Sequence, residues 1–301
     1  MSLLVATRRT LIAAKQVWDF AAGMPSGASI LRSGGNATYF DVAGVLQVAS
    51  GSDTARRNYN PATLAFEGLY IEAAATNLLT YSDQFDNAAW TKTNVTGSSS
   101  SVVETTANGL HGVVQKLAGT YASAMTISAW VALTGRSWLY FASVNTSNNA
   151  AVGAYFNLAT GAIGSAVGVN GVSGGRSIVY GAALRKIEQK FTHNTGYTTG
   201  VGVQAYLATN DGTLSFIGNS AYGASPLSLQ LEVGLPTSYI PTTSAAVTRN
   251  AESLVLQSVS SSTLRVTFDD NSTQDISVTP GTVTIAATAL NRSLVRKVEE
   301  L

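Results

Sequence analysis

Carboxylates, two histidines, one glycine–serine string and a set of aromatics are the groups here whose types and spacing bear on chemistry. Glycoside hydrolysis needs two carboxyls about 5–9.5 Å apart across a groove. Glu67, Glu72, Asp83, Asp86, Glu104 and Glu232 are the candidates, and nothing in their spacing marks a pair. Gly171-Val172-Ser173-Gly174-Gly175 fits G-x-S-x-G. A nucleophile elbow needs a strand before its serine and a helix after it. Arg176 onward does not read as a helix, and His193 follows too closely for a hydrolase sheet. In a chain with 28 glycines the string reads as a loop. His111 and His193 are the only imidazoles, neither with another ligand type at helical spacing, and there is no cysteine. Thiolate metal sites, disulfides and cysteine nucleophiles are therefore excluded. Asp269-Asp270-Asn271 lacks the Gly and Glu that an EF-hand loop requires and reads as a hairpin turn. No cofactor, metal or enzymatic activity is expected.

Sugar recognition asks for something else: aromatic faces for apolar C–H groups, and short planar polar groups for hydroxyls. Met125, Ile127 and Val131 alternate with Trp130, so a core-facing set turns Trp130 outward. Trp138, Tyr140 and Tyr155 are expected to share that outward face, beside a loop carrying Asn145, Asn148 and Asn149. Trp130, Trp138, Tyr140 and Tyr155 are thus the candidate glycan-binding residues. The competing expectation is that they pack against a neighbouring subunit or the N-terminal segment.

Strands must position these residues. Period-2 patterns run through Tyr39–Val48, Met125–Ala132, Trp138–Phe141, Val152–Asn157, Val201–Tyr206 and Leu227–Glu232. Turn signals punctuate them at Ala43-Gly44, Asn157–Gly161 and Asp211-Gly212. Residues 177–190 fit a strand or a short helix, and residues 82–89 have room for a single helical turn. The absence of a long 3.6-period segment predicts an all-β sandwich of jelly-roll type over residues 26–256. Residues 1–25 are expected to be an arm ended by Pro25, either an attachment segment or an edge strand. Residues 257–301 are expected to be a small β unit built on Leu264, Val266, Phe268, Ile276, Val278, Val283 and Ile285. Its last residues place Leu290, Leu294, Val298 and Leu301 on one helical stripe, which fits a short helix as well as a frayed end or final strand.

Charged residues make up 12% of the 301 positions, about half the usual share, and the net charge is +1. Arg8-Arg9 and Arg56-Arg57 are isolated pairs, so a phosphate-tracking groove for nucleic acid is not expected. No stretch of about 18 apolar residues predicts a membrane span. The N-terminus does not follow the order of a signal peptide, because Arg8 and Arg9 come after the first apolar group.

Two segments carry a resemblance. Residues 65–90 hold Gly68, Leu69, Ile71, Glu72, Thr76, Asn77, Leu78, Leu79, Ser82, Phe85 and Trp90. Residues 228–252 hold Gln230, Leu231, Glu232, Gly234, Pro236 to Thr242, Thr248 and Arg249. The ordered pattern resembles a concanavalin-like, carbohydrate-binding-module-like β-sandwich of bacteriophage tail-fibre, head-fibre and spike proteins. The chain departs from it at Ala75, where many relatives have Arg, and at Asn58 and Asn60, where relatives are often acidic. The resemblance implies a virion-surface structural protein made in the bacterial host cytoplasm. It also implies homo-oligomerisation, a trimer foremost, with other virion proteins and a host-surface polysaccharide as partners. A connector or decoration protein without a ligand, and a polysaccharide depolymerase, are the alternatives.

Overall fold

The computed structural model describes residues 15–121, 124–146, 149–168, 172–180, 184–192 and 199–301. These residues form antiparallel strands and a single 3-10 turn, Ala287–Ala289, with no α-helix among them. Two six-stranded sheets make a sandwich. The first runs Val172–Tyr180, Leu184–Thr192, Ala124–Thr134, Gly223–Val233, Ser101–Glu104, Val95–Ser98. The second runs Ile163–Val167, Ala151–Asn157, Trp138–Asn145, Gly200–Ala208, His111–Ala118, Thr91–Thr93. Strands that neighbour each other within a sheet are often far apart in sequence, as a jelly-roll sandwich requires.

Alternation decides which residues meet between the sheets. Met125, Ile127, Ala129 and Val131 pack from the first sheet with Leu227, Leu229 and Leu231. Leu139, Phe141, Phe156, Val201, Val203, Ala205 and Leu207 meet them from the second. Leu79, Phe85 and Trp90 join this core, with the Phe85 and Trp90 rings 5.1 Å apart. The Trp90 indole N–H donates to the Tyr81 carbonyl at 2.8 Å. Residues 82–89 run as turns rather than a helical turn, because Asn87 accepts from the backbone of Ala89 and competes with helix. The expected loop at Val172–Gly175 is instead the start of an edge strand, paired from Val172 to Phe191. Gly171 of that string and His193 lie outside the described residues.

A second core departs from the expected domain boundaries. Trp18, Phe20, Ile30, Leu69 and Ile71 share one cluster with Leu254, Leu256, Leu264, Val266, Phe268, Val295 and Val298. Val17–Asp19 pairs with the C-terminal strand, Val17 opposite Glu299 and Trp18 opposite Val298. Ala28–Leu31 pairs with Ser253–Val259. The expected boundary at 256/257 therefore cuts a strand in half, and the expected arm supplies an edge strand, Val17–Asp19, that buries Trp18 in this core. The unit is built from both ends of the chain, with the sandwich inserted between them. Its local strand signals are correct, but pairing across more than 200 residues leaves no local pattern to read.

The final segment is the strand Leu294–Glu300. The final-strand alternative is the one observed, and within it Val295 and Val298 stand three apart yet are both fully buried. A register shift between Thr267 and Phe268 of the facing strand accounts for this. The extra residue, Arg296, rotates the strand so that both valines face inward.

Trp18 is completely buried. Trp18→Ala is expected to cost about 3–5 kcal/mol, read as a lowered urea midpoint. An unchanged midpoint would mean that the N-terminal strand contributes nothing to this core.

Candidate functional site

Three of the four aromatics singled out from sequence come together. Trp138, Tyr140 and Tyr155 lie on the solvent side of the second sheet, because their neighbours Leu139, Phe141, Ala154 and Phe156 take the core side. Tyr140 sits directly opposite Tyr155 on one neighbouring strand and Tyr206 on the other. The ring centroids are 5.0 Å apart for the first pair and 6.5 Å for the second. Tyr206 was not among the expected site residues. Its alternation with Val203, Ala205 and Leu207 is the signal that reveals it.

The fourth expected residue is elsewhere. Trp130 belongs to the first sheet and faces away from the sandwich on the opposite side. It packs edge-on against Phe40 at 4.9 Å and against Tyr180 at 4.7 Å. The expectation of a single shared face fails because Ala124–Thr134 and Trp138–Asn145, though consecutive, belong to different sheets. Trp130 helps dock the hairpin Ala37–Phe40/Leu46–Ala49 onto the sandwich.

Glycines shape the aromatic face. Gly112 is opposite Tyr206, and a Cβ there would stand 2.6 Å from the ring's Cδ1. A Cβ on Gly164 would meet Trp138 at 2.7 Å. The rings therefore lie along the sheet rather than standing off it. Tyr140, Tyr155 and Tyr206 are at most 8% exposed, whereas Trp138 is half-buried. Asp211 ties the outer edge in place by accepting from the Ser165 N–H at 2.8 Å and its hydroxyl at 3.0 Å. Burial, then the neighbouring Tyr155 and Tyr206, pushes the Tyr140 phenol up to about 12. Burial likewise raises Tyr155 and Tyr206. The cluster thus presents uncharged phenols at neutral pH. Of the expected asparagines, Asn145 is buried, Asn149 accepts from Lys116 Nζ at 3.0 Å, and Asn148 lies outside the described residues.

The carboxylates Glu72 and Glu232 do structural work at the joint between the two units. Glu72 accepts from Arg56 at 2.8 Å, Arg249 at 2.5 Å, and the Ser238 hydroxyl and N–H at 2.6 and 2.8 Å. Arg56 also forks onto Glu252, with its Nε donating at 2.8 Å and its Nη2 at 2.5 Å. Arg32 completes the cluster through the carbonyls of Gly35, Ala49 and Gly51. Burial works to raise the Glu72 carboxyl, but Arg249, Arg56 and Ser238 more than reverse it and hold it at about 2. Asn77 holds the adjoining strands together, donating to Leu229 and Ile240 carbonyls and accepting from the Leu231 N–H. Glu232 accepts from the Thr237 N–H, the Thr237 hydroxyl and Gln230. Burial outweighs these bonds and pushes it up to about 7.

His111 is fully buried and stacks on Phe216 at 4.5 Å. No group of three or more metal-binding side chains occurs among the described residues. No described helix is long and apolar enough to cross a membrane.

No family model matches the chain, and neither does any curated protein. Among solved structures, one is similar over 99% of this chain and 81% of its own, at 10% identity and a TM-score of 0.19. It is described as the complete structure of manganese lipoxygenase of Gaeumannomyces graminis and partial structure of zonadhesin of Komagataella pastoris. A likeness that slight carries no argument about fold or activity.

Two outcomes follow from the joint. Arg56→Met removes the guanidinium shared by the buried Glu72 and Glu252 and leaves Glu252 only the more distant Arg32, and is expected to cost about 3–5 kcal/mol, measured by denaturant unfolding; a loss below about 1 kcal/mol would contradict the network's role. The two acids also give stability opposite pH dependences. Glu72, held below its ordinary 4.5, contributes stability that is present above pH 4.5 and lost as pH falls toward 2. Glu232, held above 4.5, contributes stability that is full below pH 4.5 and lost as pH rises through 7. Glu232→Gln should therefore gain stability on wild type between pH 5 and 8, on the order of 1–3 kcal/mol. A pH-independent difference would rule out a titrating Glu232.

Proposed function

We propose that this chain is a non-enzymatic surface protein of a bacteriophage particle, a fibre, spike or decoration subunit, that attaches to a host-surface glycan. The observation that carries this reading is the gathering of Trp138, Tyr140, Tyr155 and Tyr206 on one solvent-side sheet face. The half-buried Trp138 indole offers an apolar surface for sugar C–H groups. The uncharged tyrosine rings packed around it hold the indole in place, and neither group prefers a charged ligand. The resemblance of the two end segments to phage fibre and spike modules supplies the biological setting: the virion surface, with other virion proteins as neighbours. Display in several copies, as in a trimer, turns weak single-site contacts into firm attachment without new chemistry.

A structural connector without a ligand is the second reading. The observation that favours it is the burial of Tyr140, Tyr155 and Tyr206 against one another, which leaves Trp138 as the principal open ring.

Binding of the purified protein to host cells and to their isolated surface polysaccharide separates the two. Trp138→Ala is expected to weaken binding about tenfold or more while leaving the unfolding midpoint close to wild type. Trp130→Ala is expected to lower the midpoint and leave glycan affinity unchanged. Undiminished binding by folded Trp138→Ala, or no binding by the wild type together with tight association to another virion protein, would overturn the glycan face.

A further inference from the structure

A cleft of about 480 Å³ opens between the two units, within the roughly 300–1,000 Å³ typical of small-molecule sites. It lies on the far side of the molecule's first sheet from the aromatic face, and the residues proposed above take no part in it. Tyr180, Lys186 and Glu188 line it from the sandwich, Pro236 and Thr237 from the connecting segment, and Glu67, Tyr70, Asp269 and Arg292 from the terminal unit.

The charges of the cleft do not balance. Lys186 is taken by Glu188 at 2.8 Å and by the Thr237 carbonyl at 3.1 Å. Arg292 forks onto Asp269 with two bonds of 2.8 Å and reaches Asp270 at 3.2 Å. Both cations lining the cleft are thus already paired. Glu67 accepts from the side-chain amides of Asn58 at 2.7 Å and Asn60 at 3.2 Å, and forms no ion pair among the described residues. Arg296, the cation acting on Glu67, is directed at the backbone carbonyls of Phe66 and Glu67 and at Asn271. Burial, which the two amides only partly offset, pushes the Glu67 carboxyl up. The cost of a half-buried carboxylate without a cation is recovered when a ligand supplies one.

We infer that this cleft binds a small ligand through a primary ammonium group, with Glu67 as the counter-ion and the Tyr180 ring as an aromatic wall, the Tyr70 ring being already faced by the Arg56 guanidinium at 4.6 Å. A compact amine on a polar body fits the site best, because the lining mixes polar and apolar groups and an ammonium gains from aromatic surroundings. An amino sugar with a free amine and a lysine-like side chain both carry this chemistry. An N-acetylated sugar of the same shape does not.

The test is titration of the full chain, followed by calorimetry and by amide chemical shifts, with D-glucosamine, N-acetyl-D-glucosamine and lysine amide as separate probes. Binding of glucosamine or lysine amide is expected, with shifts at residues around Glu67 and at least about tenfold weaker binding of N-acetylglucosamine. Stronger binding of glucosamine would assign the site to a saccharide, and stronger binding of lysine amide to a peptide amine. Glu67→Gln is expected to abolish the preference for the free amine. Because that substitution also touches the bonds to Asn58 and Asn60, Leu235→Arg serves as the second variant. Leu235 is 69% exposed at the cleft, so a cation there repels the ligand without disturbing a core. Equal binding of the amine and its acetylated form, no binding of any probe, or unchanged binding in both folded variants would overturn the inference. None of these results bears on the Trp138 face.

Discussion

Glu72 and Glu252 are held out of water with the guanidinium groups of Arg32, Arg56 and Arg249 around them, and the two cores depend on that cluster for their connection. The chain leaves the terminal unit at Glu72 and re-enters it at Glu252, so both crossings are pinned by the same charges. Their backbones are bonded too: the Glu252 N–H donates to the Glu72 carbonyl at 2.9 Å. Apolar residues of similar volume would often hold such a joint at least as well, because desolvating five charges is costly. What the ionic cluster adds is direction. A planar guanidinium that must reach two carboxylates and the Thr38 carbonyl fixes where the hairpin Ala37–Ala49 and the Ser238 segment lie. That hairpin then covers Trp130, and the first sheet gives up its outer face to the joint. On the outer face of the second sheet Trp138 stays half-buried beside the packed tyrosines.

This division explains the long ordered motifs at the two ends of the sandwich. Glu72, Asn77, Gln230, Glu232, Ser238 and Arg249 bond to one another or to the strands on either side. Ser82 and Tyr239 bond at 2.6 Å across the same region. Of the residues that carry the resemblance, Glu72, Ser238 and Arg249 serve the joint while Leu79, Phe85, Trp90 and Leu231 pack in the sandwich core, and the residues proposed to bind glycan lie outside the motif. A module can keep its joint and vary its exposed face, which is how one fold serves many ligands.

Much of the sandwich was legible because its strands alternate cleanly. Leu227, Leu229 and Leu231 face the core with Gln230 and Glu232 behind them, and Val201 to Leu207 follow the same rule. The terminal unit was half legible: its strands announce themselves, but the pairing of Val17 with Glu299 is set by a core that no local window contains. The C-terminal strand could not be told from a helix, because Leu290, Leu294, Val298 and Leu301 also fit a helical stripe and the bulge at Arg296 breaks the period of two. At the aromatic face, alternation puts Trp138, Tyr140 and Tyr155 on one side of their strands, and the same rule applied to Val203, Ala205 and Leu207 adds Tyr206. It could not show that Trp130 belongs to the other sheet, since a period of two says which side of a strand a residue faces and not which sheet the strand joins.

The four tryptophans occupy four distinct environments, which makes them reporters for the account as a whole. Trp18 lies in the terminal core, Trp90 in the sandwich core, Trp130 under the hairpin and Trp138 on the open face. The most direct measurement is to follow the four indole N–H resonances while titrating oligosaccharides released from the host surface. A glycan-binding face centred on Trp138 predicts a saturable shift of the Trp138 resonance with the other three unmoved. A shift centred on Trp130, or saturable binding that leaves Trp138 unmoved, would contradict it.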